Sequence, residues 1–215
     1  MKRIVILISG NGSNLEAVVN ACDSGHINGE VVSVISNNPD AYGIVRANKY
    51  NINTQIINHK KFESRLKFDD ELEKVLTVIN PDLIILAGFM RILGEKLINK
   101  YANKMINLHP SLLPEYPGLN THEQVLKNSD KKHGISIHFV TPELDAGPLI
   151  AQASIEVRND ETLDRLIQRI HKIEHYLLPE IVREICSDNI YLDKNKILKY
   201  VYDDYESRFF VEIHE

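Results

Sequence analysis

A short run near the start of the chain, residues 4–8, is wholly apolar and mostly β-branched. A strand of that composition has no face suited to water, so it must be covered on both sides, as in a parallel sheet packed between helices. Largely apolar runs follow at 31–35 and 83–87, and between them apolar residues recur at helical spacing. The pattern predicts an α/β chain with an open, mostly parallel, Rossmann-like twisted sheet and helices on both faces.

Length and composition narrow the classes of protein that fit. The chain has 215 residues, 43% of them hydrophobic, which predicts one domain at residues 1–187. The remaining tail, 188–215, is charged and contains a possible hairpin, and its role is unassigned. A net charge of -5 offers no basic surface for nucleic acid or an anionic membrane. Two widely spaced cysteines, and no apolar stretch of signal-peptide or transmembrane length, predict a cytoplasmic protein.

Residues 10–14, here called the glycine loop, read Gly-Asn-Gly-Ser-Asn and lead from the first predicted strand into a predicted helix. Exposed backbone N–H groups at such a helix start favour an anion, and Ser13 and Asn14 add side-chain donors. A dinucleotide is disfavoured because Leu15 replaces the third glycine of the fingerprint and the next strand ends in Ser-Asn-Asn rather than in an acid. The loop therefore predicts a site for a single phosphate group, with a plain tight turn as the alternative.

The segment 105–114 brings polar groups to the end of another predicted strand. Asn107 and His109 lie two residues apart, so they point the same way, and Pro110 ends the strand just beyond them. Ligands of open α/β sheets bind at this carboxyl edge. Asp145 follows a strand expected to lie beside this one, which makes its carboxylate a candidate partner for the imidazole. The alternative is a solvated carboxylate and a strand end capped by water.

Three further segments allow two interpretations each. The 88–93 loop, Gly-Phe-Met-Arg-Ile-Leu, could form the wall of a pocket for a flat ring or could pack beneath a helix. A helical stripe begins near Thr162, and Pro179 within it predicts either a bend or a new helix. Residues 171–175 have the His-x-x-Glu-His spacing of inverted zinc peptidases, but the following residues supply no convincing further ligand, so we predict no metal.

Four segments together resemble the folate-dependent formyltransferases. They are the glycine loop, the 88–93 loop, the segment 107–114 and the segment 134–147, which begins with Gly-x-Ser and ends with Leu-Asp-x-Gly. The match spans residues 1–187, and the joint occurrence in this order is far more specific than any one motif. The length of the chain predicts neither the extra domain of the methionyl-tRNA formyltransferases nor that of the formyltetrahydrofolate deformylases.

The resemblance implies an activity and its substrates. The implied reaction transfers the formyl group of 10-formyltetrahydrofolate, a co-substrate, to the amine of glycinamide ribonucleotide in purine synthesis. The implied partners are these small molecules, with no nucleic acid and no membrane, and the protein would be a monomer or a homodimer.

The resemblance also assigns roles to individual residues. The implied catalytic residues are Asn107, His109 and Asp145. The residues implied to bind glycinamide ribonucleotide are Gly12, Ser13, Asn14, His171, Lys172, Ile173 and Glu174. The residues implied to bind the formyl folate are Arg65, Met90, Arg91, Ile92, Leu93, Asn107, Thr141, Pro142, Glu143, Leu144 and Asp145. Pro142 departs from the acidic or apolar residue usual in the family, so one backbone donor is absent from that loop.

The chemistry of the implied reaction suits the three catalytic candidates. An amine that attacks a formyl carbon creates an oxyanion, and Asn107 and His109 project together as donors to it. An imidazole next to the carboxylate of Asp145 can move the proton that the amine loses. The alternatives are a formyltetrahydrofolate hydrolase, another formyltransferase, and a phosphosugar-binding module without catalysis.

Overall fold

A computed structural model describes residues 1–213 of the protein. Its strands are β1 (Lys2–Ile8), β2 (Gly29–Ser36), β3 (Thr54–Ile56), β4 (Leu83–Ala87), β5 (Met105–His109), β6 (Lys132–Phe139), β7 (Leu149–Glu156), β8 (Ile190–Leu192), β9 (Leu198–Tyr200) and β10 (Phe210–Ile213). Its helices are α1 (Ser13–Asp23), α2 (Tyr42–Lys49), α3 (Arg65–Ile79), α4 (Glu95–Lys100), α5 (Thr121–Asn128), α6 (Leu163–Cys186) and α7 (Tyr205–Phe209), with one 3-10 turn at His59–Lys61.

Eight of these strands form one open sheet in the order β10-β7-β6-β5-β4-β1-β2-β3. All neighbours are parallel except β6, which runs antiparallel to both β5 and β7. Two layers of apolar side chains cover the sheet. Ile4 and Ile6 pack in the layer that includes α1 and α6, whereas Val5 and Leu7 pack in the layer that includes α3 and α4. The predicted fold class is therefore confirmed.

The strand order reverses beside β1. The chain passes from β1 outward through β2 to β3 and then returns to place β4 on the other side of β1. The loops that follow β1 and β4 therefore leave the same edge of the sheet next to each other, which is where open α/β sheets bind ligands. These two segments are the glycine loop and the 88–93 loop.

The long helix α6 runs without a break from Leu163 to Cys186. Pro179 lies inside this helix and is buried. Because the helix continues on both sides of it, the proline does not start a new helix. The Thr162 side chain accepts a hydrogen bond from the N–H of Arg165 and caps the first turn, as N-cap threonines do. Within residues 1–213, no helix combines the length and apolarity needed to cross a membrane.

The tail forms the predicted hairpin, β8 and β9, and then returns to the main sheet. Strand β10 pairs in parallel with β7, from Phe210 beside Gln152 to Ile213 beside Ile155. The buried carboxylate of Glu184 on α6 holds this segment, because it accepts a hydrogen bond from Asn189 and pairs with Arg208. Residues 190–213 are thus packed on the sheet that carries the cavity described next.

Candidate active site

A cavity of about 890 Å³ opens at the carboxyl edge of the sheet, between the ends of β1, β4 and β5. A cavity of this size can enclose much of two small molecules held end to end. The predicted site residues that line it are Gly12, Ser13, Asn14, Arg65, Met90, Arg91, Ile92, Leu93, Asn107, His109, Thr141, Pro142, Glu143, Leu144, Asp145, His171 and Glu174. The structure therefore brings together residues that are far apart in the sequence.

Asn107, His109 and Asp145 converge on one side of this cavity. Strand alternation turns the first two side chains the same way, and the loop after β6 places Asp145 against both. The Asn107 amide Nδ2 donates to Asp145 Oδ1 at 3.3 Å. The distance from His109 Nδ1 to Asp145 Oδ2 is 3.5 Å. An amide, an imidazole and a carboxylate thus share one wall of the cavity.

The second nitrogen of His109 fixes which ring atom faces the carboxylate. His109 Nε2 lies 2.8 Å from the carbonyl oxygen of Tyr116, and because a carbonyl only accepts, Nε2 carries the hydrogen. His109 Nδ1 is therefore the atom that gains or loses a proton, and it faces Asp145. The imidazole is 4% exposed, so solvent does not compete strongly for this position.

The carboxylate of Asp145 is held ionised by its neighbours. Burial opposes ionisation, but the hydrogen bond from the N–H of Gly118 and the nearby charge of His109 hold the pKa of Asp145 below its usual value. The Gly118 N–H donates to Asp145 Oδ2 at 2.8 Å. The ionised carboxylate of Asp145 therefore faces the imidazole of His109 as a hydrogen-bond acceptor.

The sequence interpretation missed His138. It follows from the pairing of β5 with β6, which sets Asn107 beside His138. His138 Nδ1 donates to the Phe139 carbonyl oxygen at 2.9 Å, so Nε2 is left to accept from Asn107 Nδ2 at 3.2 Å. Both hydrogens of the Asn107 amide are therefore directed at protein acceptors, His138 and Asp145.

The glycine loop, which also lines the cavity, forms the start of α1 without a side-chain cap. Gly12 has a φ of 75° and supplies no side-chain cap to α1, so the first N–H groups of that helix receive no bond from it. A side chain at Gly12 would place its Cβ 2.5 Å from the Cα of Gly43. The close contact and the positive φ explain why this position needs glycine.

Glu174 faces the glycine loop from α6. Its carboxylate accepts from Asn14 Nδ2 at 2.9 Å, and the residue is 5% exposed. Burial raises the pKa of Glu174 to about 7, against the opposing effect of the hydrogen bond from Asn14. Asn14 Oδ1 is buried without a partner among the described residues. Glu174 and Asn14 therefore offer buried polar atoms to which a ligand with hydroxyls or an amine could donate hydrogen bonds.

Helical spacing separates the predicted residues of α6. His171 and Glu174 line the cavity, but Lys172 is exposed and Ile173 packs in the core, so the structure does not bring these two to the cavity wall. The rings of His171 and His175 stack with centroids 6.1 Å apart. Within residues 1–213, no three His, Cys, Asp or Glu side chains are arranged to hold a metal ion.

A pair of histidines forms part of the wall beside His109. His122 lines the cavity, and its Nδ1 lies 2.8 Å from Nε2 of the buried His133. Burial and the neighbouring His122 lower the pKa of His133 to about 3, so this ring stays neutral. The sequence interpretation assigned neither histidine to the site.

Comparison with known proteins decides the family. Residues 2–182 match the family described as formyl transferase. The chain belongs to the formyl transferase family.

Relatives of this formyl transferase align over almost its full length. It is 44% identical to the phosphoribosylglycinamide formyltransferase of Escherichia coli K12 over 192 residues, which are 89% of this chain and 91% of that protein. It is 37% identical to part of the human trifunctional purine biosynthetic protein adenosine-3, covering 90% of this chain and 19% of that protein.

Solved structures with the same fold include further proteins named phosphoribosylglycinamide formyltransferase. The phosphoribosylglycinamide formyltransferase of Coxiella burnetii has a TM-score of 0.87 at 44% identity, and 93% of each chain is covered. That of Anaplasma phagocytophilum has a TM-score of 0.89 at 38% identity and covers 99% of this chain and 98% of its own. The resemblance to formyltransferases inferred from four sequence segments is therefore confirmed.

Proposed function

We propose that this formyl transferase moves the formyl group of 10-formyltetrahydrofolate to the amine of glycinamide ribonucleotide. The observation that carries the proposal is the convergence of Asn107, His109 and Asp145 on one wall of a cavity that the glycine loop and the 88–93 loop also line. Relatives that align over about nine-tenths of the chain are named phosphoribosylglycinamide formyltransferase.

The cavity divides into two ends that suit the two substrates. The glycine loop and Glu174 form a polar end, where helix N–H groups favour a phosphate and the carboxylate accepts from an amine or a hydroxyl. The 88–93 loop and residues 141–145 form the other end, with exposed apolar side chains such as Met90 and Ile92 suited to a flat ring. Asn107, His109 and Asp145 line the same cavity, where in this proposal the formyl group meets the amine.

The transfer needs an oxyanion stabilised and a proton moved. The neutral amine nitrogen attacks the formyl carbon, and the carbonyl electrons move to the oxygen to form an oxyanion. When these electrons re-form the carbonyl, the carbon–nitrogen bond to the folate breaks, and the folate nitrogen takes up the proton that the amine has released. In this proposal the Asn107 amide and the protonated His109 donate to the oxyanion. One such donor contributes about 10²- to 10³-fold to the rate.

In this proposal Asp145 has two roles: it orients His109 and Asn107, and it accepts a proton. Its carboxylate faces His109 Nδ1, while His109 Nε2 donates to the Tyr116 carbonyl, so the imidazole is held between two protein partners. Asp145 also orients the amide of Asn107, whose two hydrogens point at Asp145 and His138 in the free protein. A bound formyl oxygen must therefore replace one of these two acceptors of the Asn107 hydrogens. In this proposal Asp145 accepts the proton that the amine releases, and that proton is then delivered to the folate nitrogen.

The direct test mixes the protein with glycinamide ribonucleotide and 10-formyltetrahydrofolate and follows the folate absorbance. We expect turnover that requires both substrates, and a loss of about 10²-fold or more in kcat for Asn107→Ala and for Asp145→Ala. Ser33→Ala is the matched control because Ser33 is a buried polar residue whose hydroxyl bonds to the Asn53 carbonyl, away from the cavity. Near-normal kcat in either site variant would contradict the assigned roles, and folate consumption without the amine would indicate a hydrolase.

A further inference from the structure

We propose that Ser9 is a positioning residue that fixes the 88–93 loop against the glycine loop and so sets the shape of the formyl-donor end of the cavity. Ser9 directly follows β1 and precedes the glycine loop. The inference rests on the proposed function only in naming the ligand of that end as a folate. It assigns a role in donor binding to a side chain whose hydroxyl bonds to Asn37 and Met90 rather than to Asn107, His109 or Asp145.

The Ser9 hydroxyl uses both its acceptor and its donor capacity. Its oxygen accepts from the N–H of Met90 at 2.7 Å, and its hydrogen is donated to Asn37 Oδ1 at 2.5 Å. The Ser9 N–H also donates to the Gly88 carbonyl oxygen at 3.2 Å. One residue therefore ties down two points of the 88–93 loop, the first through its backbone and the second through its side chain.

Asn37 holds the Ser9 hydroxyl in that orientation. Asn37 is 3% exposed, and its Nδ2 lies 3.0 Å from Nδ1 of His59. The next residue, Asn38, donates from its Nδ2 to the Ser9 carbonyl oxygen at 3.2 Å. The ends of β1, β2 and β4 are thus joined through Ser9, with Asn37 and Asn38 as its supports just after β2.

The far end of the 88–93 loop has a separate anchor. The carboxylate of Asp69, on α3, accepts from the N–H of Gly94 at 2.8 Å. Between Ser9 and Asp69 the loop presents Met90 and Ile92, which are 61% and 55% exposed. Loss of the Ser9 hydroxyl would free the Met90 end of the loop and leave the Gly94 end in place. The expected effect is weaker binding of the donor with little change at the phosphate end.

The test compares ligand affinities of Ser9→Ala with those of the wild-type protein. We expect the dissociation constant of tetrahydrofolate, measured by calorimetry, and the KM for the formyl donor to rise about five- to tenfold, as for the loss of one hydrogen bond. The dissociation constant of inorganic phosphate should change less than twofold. Ser9→Thr keeps the hydroxyl and should retain most of the affinity, and Ser33→Ala should bind both ligands as the wild type does.

Asn37→Ala tests whether the two residues act as one chain of hydrogen bonds. It should weaken tetrahydrofolate binding in the same direction, and the double variant should be no worse than Ser9→Ala alone, because removing either partner breaks the same chain. Additive losses would overturn the proposal.

The outcomes separate this inference from the proposed function. Unchanged tetrahydrofolate affinity in Ser9→Ala, with normal folding, would overturn the inference even if the wild type transfers formyl groups. An equal loss of phosphate and folate affinity would also overturn it, since that result indicates general destabilisation. A selective loss of folate affinity in a protein that fails to formylate glycinamide ribonucleotide would support the inference and refute the proposed function.

Discussion

Glu174→Gln should stabilise the protein at alkaline pH and leave its stability unchanged near pH 4.5. Burial raises the pKa of Glu174 from 4.5 to about 7 in the folded protein. Below pH 4.5 the carboxyl is neutral in both the folded and the unfolded chain, so it costs nothing. Between pH 4.5 and 7 only the unfolded chain ionises it, so the folded protein holds one more proton and its free energy of unfolding falls as pH rises.

The size of the effect follows from the two pKa values. One pKa unit corresponds to about 1.4 kcal/mol, so a pKa near 7 instead of 4.5 represents a penalty of about 3 kcal/mol, complete above pH 7. Glutamine has nearly the same shape and keeps an oxygen that can accept from Asn14 Nδ2. The variant should therefore gain up to about 3 kcal/mol relative to the wild type at pH 8.

The assay is urea unfolding of both proteins at pH 4.5, 6, 7 and 8 in a buffer without phosphate. The difference between variant and wild type isolates Glu174, because other titrating groups contribute equally to both. Glu184→Gln is the matched control: burial opposes ionisation there as well, but Asn189 and Arg183 hold the pKa of Glu184 below its usual value. That variant should lose stability above pH 4.5. A Glu174→Gln difference that stays constant with pH, or that falls as pH rises, would refute the reasoning.

Three other changes have expected results. Gly147→Ala should lower kcat and destabilise the Asp145 loop, because a Cβ there would lie 1.7 Å from the Phe139 carbonyl oxygen; steady-state kinetics and thermal unfolding would detect it. Gly12→Ala should weaken inorganic phosphate binding at least tenfold in calorimetry, since the Cβ would meet Gly43 at 2.5 Å and the loop must shift. Leu166→Ala, at a fully buried position of α6, should cost about 2 to 5 kcal/mol in urea unfolding with little change in KM.

Much of the fold could be predicted because short apolar runs carry a strong signal. Residues 83–87, for example, have no polar member, and the strand occupies that range in the structure. The convergence of Asn107 with His109 also followed from strand alternation, since both side chains must leave the same face. The two chain segments that carry Asn107, His109 and Asp145 could be identified, but the distances between these side chains could not.

The sequence interpretation missed features that depend either on the pairing of two distant strands or on the period of a helix. His138 becomes a neighbour of Asn107 only through the register of β5 with β6, which no local pattern specifies. Lys172 and Ile173 were predicted as site residues because the whole segment 171–174 was assigned to the site. In a helix, however, successive residues point about 100° apart, so four consecutive residues cannot all face one cavity. Helical period alone would have selected His171 and Glu174, the two that line the cavity.

The position of β10 affects how the sheet meets other molecules. Without it, the eight-residue strand β7 would expose a long row of backbone N–H and C=O groups, a template to which a foreign strand can add. β10 covers the stretch of β7 from Gln152 to Ile155, and the ion pair between its Glu212 and Lys132 places charge beside that border. The opposite border is β3, only three residues long. Among residues 1–213, both margins of the main sheet are therefore short strands, which disfavours uncontrolled strand-to-strand association.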